Sequence, residues 1–238
     1  MSVSVRLVVR SFSELCITVG ALIVLFVVYL LFWTGIKADH AASDQINQLH
    51  HQWTQGATAA PAPSPSGQGA PKKSAPPAPP AYKDGKAFAV MYIPRLGKHW
   101  SRPVLQDTKV KTLQKGLGHY AGTARLGATG NFAVAGHRRT YGDPFKDFPE
   151  LRPGDAVVIE DGTTWFTYRI DNKPYLTVPS DIGVIGPVPV KSPYRSPGRY
   201  LTLTTCDPEW GSSHRLIAWG HLDSTQPVKQ GKPAALPR

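Results

Sequence analysis

Cysteine is almost absent from this chain. Its 238 residues include two, Cys16 in an apolar N-terminal run and Cys206 near the far end. Two thiols so far apart in character exclude a disulfide scaffold. There is no cysteine pair at zinc spacing and no HExxH element, so neither a metal nor a cofactor is expected. Acidic side chains are also scarce, 16 against 27 Lys and Arg, giving a formal net charge of +11. Across residues 86–223 the balance is 18 basic to 12 acidic, a net +6. That excess is spread out, with no basic helix and no aromatic RNA-binding motif. It fits attraction to an anionic membrane or wall surface and excludes a dedicated nucleic-acid partner.

What the chain has in quantity is proline and glycine, 23 and 22 residues. These point to loops, β structure and a linker in place of a helical bundle. Residues 15–33, LCITVGALIVLFVVYLLFW, are 19 uncharged and mostly apolar positions. As a helix they would span about 28 Å, close to the ~30 Å of a bilayer's hydrocarbon layer. Arg6 and Arg10 precede the run, which predicts a cytoplasmic N-terminus over 1–14 and an extracellular remainder. A cleaved signal peptide would have a shorter apolar core, so an uncleaved single-pass anchor in the cell membrane is expected. Residues 34–85 read as an extracellular stalk and a Pro/Ala-rich disordered linker. Within them SDQINQLHHQW (43–53) allows either a short helix beside the membrane or a solvated stalk. A folded domain is expected over 86–224, and a disordered basic tail over 225–238.

Within that domain short strands are predicted at 87–93, 131–137, 155–161, 163–170, 200–206 and 215–222, with weaker ones near Val104 and Val178. Only 107–116 and 143–151 invite short helices. This pattern indicates an all-β barrel or sandwich.

The lone thiol of the domain ends a threonine-rich strand. In LTLTTC, Leu201, Leu203 and Thr205 share one face and Thr202, Thr204 and Cys206 the other. With the leucines inward, Cys206 falls on the polar face, where a filler cysteine has no reason to sit. Eight residues, DPEWGSSH, separate it from Arg215, which opens the next apolar strand. In a hairpin these two are neighbours, and a guanidinium there favours a thiolate and can donate to a substrate carbonyl. The alternative is a surface arginine paired with Asp207 or Glu209. His137 ends another strand, although His99, His119, His214 and His221 compete with it on spacing alone.

TLTTC at 202–206 with Arg215 behind it, and AGHR at 135–138 upstream, together resemble the sortase signature. The resemblance extends over roughly 86–222 and fits the anchor and stalk. It implies an eight-stranded β-barrel with one or two short helices, carrying a cysteine transpeptidase site. Cys206 would be the nucleophile, His137 the acid and base, and Arg215 the oxyanion or substrate clamp. Thr205 would help hold the sorting peptide. Val184, Ile185 and Val188 would line the peptide groove, or simply pack the long 171–199 loop. TLTTC, GHYAGTA and the proline-rich stalk are most similar to class E, where the tyrosine matching Tyr120 accompanies a preference for LAxTG over LPxTG. Implied partners are secreted proteins bearing such signals and an amine of a peptidoglycan precursor. A pilin lysine is the other acceptor the family uses. A non-catalytic wall-binding β domain is the rival outside enzymology.

Overall fold

The structure, a computed structural model, describes residues 3–58 and 81–237. The expected linker over 59–80 lies outside the described residues. Helix α1 covers Val3–Thr58 and α2 covers Val110–Leu113. The strands are β1 Ala87–Tyr92, β2 Ser101–Gln106, β3 Leu117–His119, β4 Gly130–Ala135, β5 Ala156–Glu160, β6 Thr164–Ile170, β7 Tyr175–Thr177, β8 Arg199–Asp207 and β9 His214–Pro227.

Eight of these strands follow the order β6-β5-β1-β2-β3-β4-β8-β9, and β6 pairs with β9 to close an eight-stranded barrel. Closure gives each of these eight strands two neighbours, which is how a small all-β domain limits edge-to-edge association. β7 is a ninth, three-residue strand that lies on the first half of β9, end to end with β6. Inside the barrel, Met91, Ile93, Phe132, Val134, Phe145, Phe148, Leu201, Leu203 and Tyr168 form one buried cluster. A smaller cluster of Val184, Ile217 and Trp219 lies on the opposite face of β8 and β9. The strands between the two clusters are therefore apolar on both faces, as β4 shows with five buried positions in six.

α1 is a single helix in which Val9–Tyr29 is long and apolar enough to cross a membrane, with mean hydropathy 2.3. The helix then continues where the sequence left 43–53 open between helix and stalk. Between Gly35 and Pro61 the only glycine or proline is Gly56, and the barrel supplies a surface to pack on. Ala42 and Leu49 are buried, and Arg102 pairs with Asp39 at 2.9 Å. The Trp53 ring lies over Gly162, where an added Cβ would come within 2.3 Å of it.

Two sequence expectations need correction. The 143–151 segment is not a helix; with Pro144 and Pro149 it holds only a 3-10 turn at Phe148–Glu150. The 225–238 segment is not simply a disordered tail, because β9 runs past 224 and residues 224–227 pair with Thr167 through Thr164 of β6. A 3-10 turn at Val228–Gln230 follows.

His119 is fixed inside this frame. Its ring stacks on Phe132 at 4.6 Å, with Nδ1 2.8 Å from Gln106 Oε1 and Nε2 3.1 Å from Ala124 O. Burial lowers its pKa from 6.5 to about 4, against the opposing pull of the Ala124 carbonyl. Between those values the unfolded chain takes up a proton that the native ring refuses, so stability falls as pH falls through that window. The loss is about 3 kcal/mol at most. Urea unfolding at pH 7 and pH 4.5 should show it, with a smaller loss in a His119→Gln variant.

Candidate active site

β4 and β8 are parallel and adjacent, with Ala135 opposite Thr204. Both chains therefore leave the sheet at the same end of the barrel, one delivering His137 and the other Cys206. The last backbone link between them is Gly136 N–H donating to Thr204 O at 3.1 Å. Gly136 has to be glycine here, since a Cβ would lie 2.6 Å from the Phe145 ring and 2.7 Å from Leu117 Cδ2. Phe145 cannot yield easily, being stacked on Trp100 and packed against Phe148.

β8 pairs with β9 in the register that places Cys206 directly opposite Arg215. Directly opposed residues hold their Cβ atoms about 5 Å apart. The alternation expected from LTLTTC holds: Leu201 and Leu203 join the barrel core, and Cys206 shares the outer face with Thr202 and Thr204. Arg215 does not pair with Asp207 or Glu209. Its Nη1 donates to Ser212 O at 2.9 Å and His214 O at 2.8 Å, which folds the guanidinium onto the β8–β9 loop.

A cleft of about 290 Å³ opens at this end, lined by His137 to Thr140 on one side and by Cys206 with Glu209 to Ser212 on the other. The His137 ring packs at 5.1 Å on Tyr141, and its Nε2 is buried without a hydrogen-bond partner. Burial lowers the His137 pKa from its ordinary value, so the resting imidazole is neutral near pH 7. Among the described residues no carboxylate or carboxamide bonds to that ring. A thiol and a neutral imidazole facing one cleft, with a guanidinium across the ladder, suit acyl transfer through a thioester.

The other expected residues divide. The Tyr120 hydroxyl lies 3.1 Å from Thr204 Oγ1, on the same outer face of β8 as Cys206. Thr205 points the other way: it is buried and its hydroxyl donates to Gly136 O at 2.9 Å. Its side chain thus ties β8 to the segment before His137. Val184 is also buried, and its carbonyl accepts from Trp219 Nε1 at 3.0 Å. For Val184 the packing role prevails. Ile185 packs half-buried against the same cluster, and Val188 is half-buried further along the loop.

The strand-by-strand reading offered Asp207 and Glu209 to Arg215 and so missed how four charged residues next to the candidates pair with one another. Arg138 pairs with Asp207, and Arg139 Nε lies 3.0 Å from Glu209 Oε1. Arg139 also sits 4.6 Å over the exposed Trp210 ring. The signal was present as basic residues after His137 and acidic ones after Cys206. Among the described residues no group of three or more His, Cys, Asp or Glu is placed to hold a metal ion.

A family model described as the sortase domain matches residues 91–223. The curated protein Sortase SrtE1 of Streptomyces coelicolor is 37% identical over 95% of this chain, which spans 60% of that relative's length. Sortase SrtE2 of the same organism is 32% identical, over 91% of this chain and 82% of the relative. Among solved structures, sortase E from Streptomyces avermitilis is 70% identical with a TM-score of 0.62, over 66% of this chain and 100% of that one. Sortase E1 from Streptomyces coelicolor, solved with a tripeptide in the active site, is 40% identical with a TM-score of 0.61, over 63% and 96%.

Proposed function

The chain belongs to the sortase family, and on that footing we propose that it is a membrane-anchored class E transpeptidase. It cleaves a C-terminal LAxTG- or LPxTG-type sorting signal between Thr and Gly and hands the protein to an amine of a peptidoglycan precursor. The observation that carries this reading is Cys206 in register with Arg215 while sharing a cleft with His137.

In the first half-reaction the Cys206 thiolate attacks the threonine carbonyl carbon, and Arg215 donates to the oxygen as it gains charge. His137, carrying the proton the thiol gave up, passes it to the departing glycine amine as the C–N bond breaks. A threonyl thioester is left on Cys206. In the second half-reaction an acceptor amine attacks that thioester, His137 removes the amine's proton, and the thiolate leaves. The new amide and the restored thiol–imidazole pair balance both steps.

Burial holds His137 neutral at rest, so the imidazolium that serves as acid forms when the ring takes the thiol's proton. Tyr120, bonded to Thr204 beside the thiol, supports a contact with the residue before the signal's variable position. The basic pair Arg6 and Arg10 ahead of the apolar span supports a cytoplasmic N-terminus and an extracellular barrel.

The test is direct. Incubate the barrel-bearing chain with an LAxTG peptide, its LPxTG counterpart and a glycine-type amine, and identify products by mass. Cleavage between Thr and Gly with the amine joined to Thr is expected. Intact peptides of both kinds after prolonged incubation with folded protein would overturn the reading.

A further inference from the structure

The backbone ladder between β4 and β8 stops one residue short of the chemistry. Past the Gly136 N–H to Thr204 O bond, only side chains join the two strand ends. Thr205 supplies the first, from inside the barrel, by donating to Gly136 O. On the cleft side the next residues carry opposite charges in matching order: Arg138 and Arg139 follow His137, and Asp207 and Glu209 follow Cys206. Arg138 Nη1 reaches Asp207 Oδ1 and lies within 3.5 Å of the Cys206 carbonyl oxygen. Its side chain is only 10% exposed. Arg139 meets Glu209 and lies over Trp210, with a side chain 21% exposed.

We propose that Arg138–Asp207, backed by Arg139–Glu209, is a two-rung ionic clasp that positions the Cys206 thiol against the His137 imidazole. Neither arginine touches the reacting atoms; both are positioning residues, and this role rests on the transpeptidase reading above. The geometry favours positioning over a surface ion pair for two reasons. A pair held at 10% and 26% side-chain exposure is largely shielded from solvent and salt. Arg138 Nη1 also reaches both the Asp207 carboxylate and the Cys206 carbonyl, so one guanidinium nitrogen holds the residue after the thiol and the thiol's own backbone.

Charge alone and positioning make opposite forecasts. If the pair acted only through its field on Cys206, removing Arg138 would disfavour the thiolate and removing Asp207 would favour it. If the pair positions, either loss separates thiol from imidazole and both slow the reaction. The variants are Arg138→Gln, Asp207→Asn, their double combination, and Arg138→Lys. Circular dichroism and thermal unfolding establish that each is folded at the assay temperature.

Both single variants should turn over roughly 10- to 100-fold more slowly than wild type at saturating peptide, with KM changed less than about twofold. The double variant should be no worse than the poorer single, as for two residues acting as one unit. Arg138→Lys should recover part of the loss. Alkylation of Cys206 by iodoacetamide at pH 7 gives a readout free of any sorting signal. Both single variants should slow it about five- to tenfold, since the imidazole no longer lies in place to take the thiol's proton. Opposite signs for Arg138→Gln and Asp207→Asn, or rates unchanged in both, would overturn the clasp. If wild type cleaves no signal peptide, the function fails while the alkylation pattern still decides the clasp.

Discussion

Replacing Cys206 with alanine should abolish covalent capture of a sorting peptide and lower signal cleavage by three orders of magnitude or more. Among the described residues no second thiol reaches the cleft, and Cys16 lies in the apolar span of α1. The side chain is small and only half-buried at a strand end, so truncating it leaves no large core cavity and the unfolding midpoint should move little. A loss of activity without a loss of stability separates a nucleophile from a packing residue. Cys206→Ser sharpens the distinction: it keeps size and hydrogen bonding but replaces thiolate by a far weaker nucleophile, so it should be nearly as inactive as alanine. Mass spectrometry of denatured protein after mixing with peptide checks the outcome. A peptidyl adduct on wild type and none on either variant is expected. Equal cleavage by wild type and Cys206→Ala would leave the anchored wall-binding module as the surviving reading.

Strand alternation made most of the barrel legible: in LTLTTC the leucines share one face and threonines fill the other, so Leu201 and Leu203 can only be the core side. The expected strand over 131–137 ends at Ala135, which leaves His137 just beyond the sheet, where a side chain can face a cleft. What alternation could not resolve was anything set by a distant partner. β9 extends to Pro227 because β6 offers it a pairing edge, and no local feature of STQP announces that. The helix over 34–58 was half visible in Ile46, Leu49 and Trp53, but its partner surface at Gly162 is more than 100 residues away. Thr205 was assigned to the peptide by family pattern, whereas its parity with Leu203 already put it on the core face. The clasp was hidden for a similar reason: Arg138 and Asp207 are 69 residues apart and meet only because β4 and β8 are parallel neighbours. Charge order next to two candidate residues is a readable signal once such a pairing is suspected.

Replacing His137 with glutamine should cost 10²- to 10⁴-fold in peptide transfer, the range that positioned general acid–base catalysis supplies. Glutamine keeps much of the volume against Tyr141, so the cleft should persist while the titrating group is lost. The size of the loss alone would not reveal what His137 does, because poor positioning of Cys206 gives a similar number. The leaving group discriminates. Expelling a glycine amine from an amide requires a proton at the moment of cleavage, whereas an alkoxide leaving an ester depends on one much less. A signal peptide with an ester in place of the Thr–Gly amide should therefore recover at least tenfold of the deficit in His137→Gln. The pH dependence carries a second mark. Burial lowers the His137 pKa, so as pH falls the wild type should keep a neutral imidazole further below 6.5 than a free histidine would. The acid limb of kcat/KM should accordingly lie below pH 6.5, and His137→Gln should lose that limb. An equal deficit on ester and amide, with the acid limb retained, would take the proton transfer away from His137 and leave it only an orienting part.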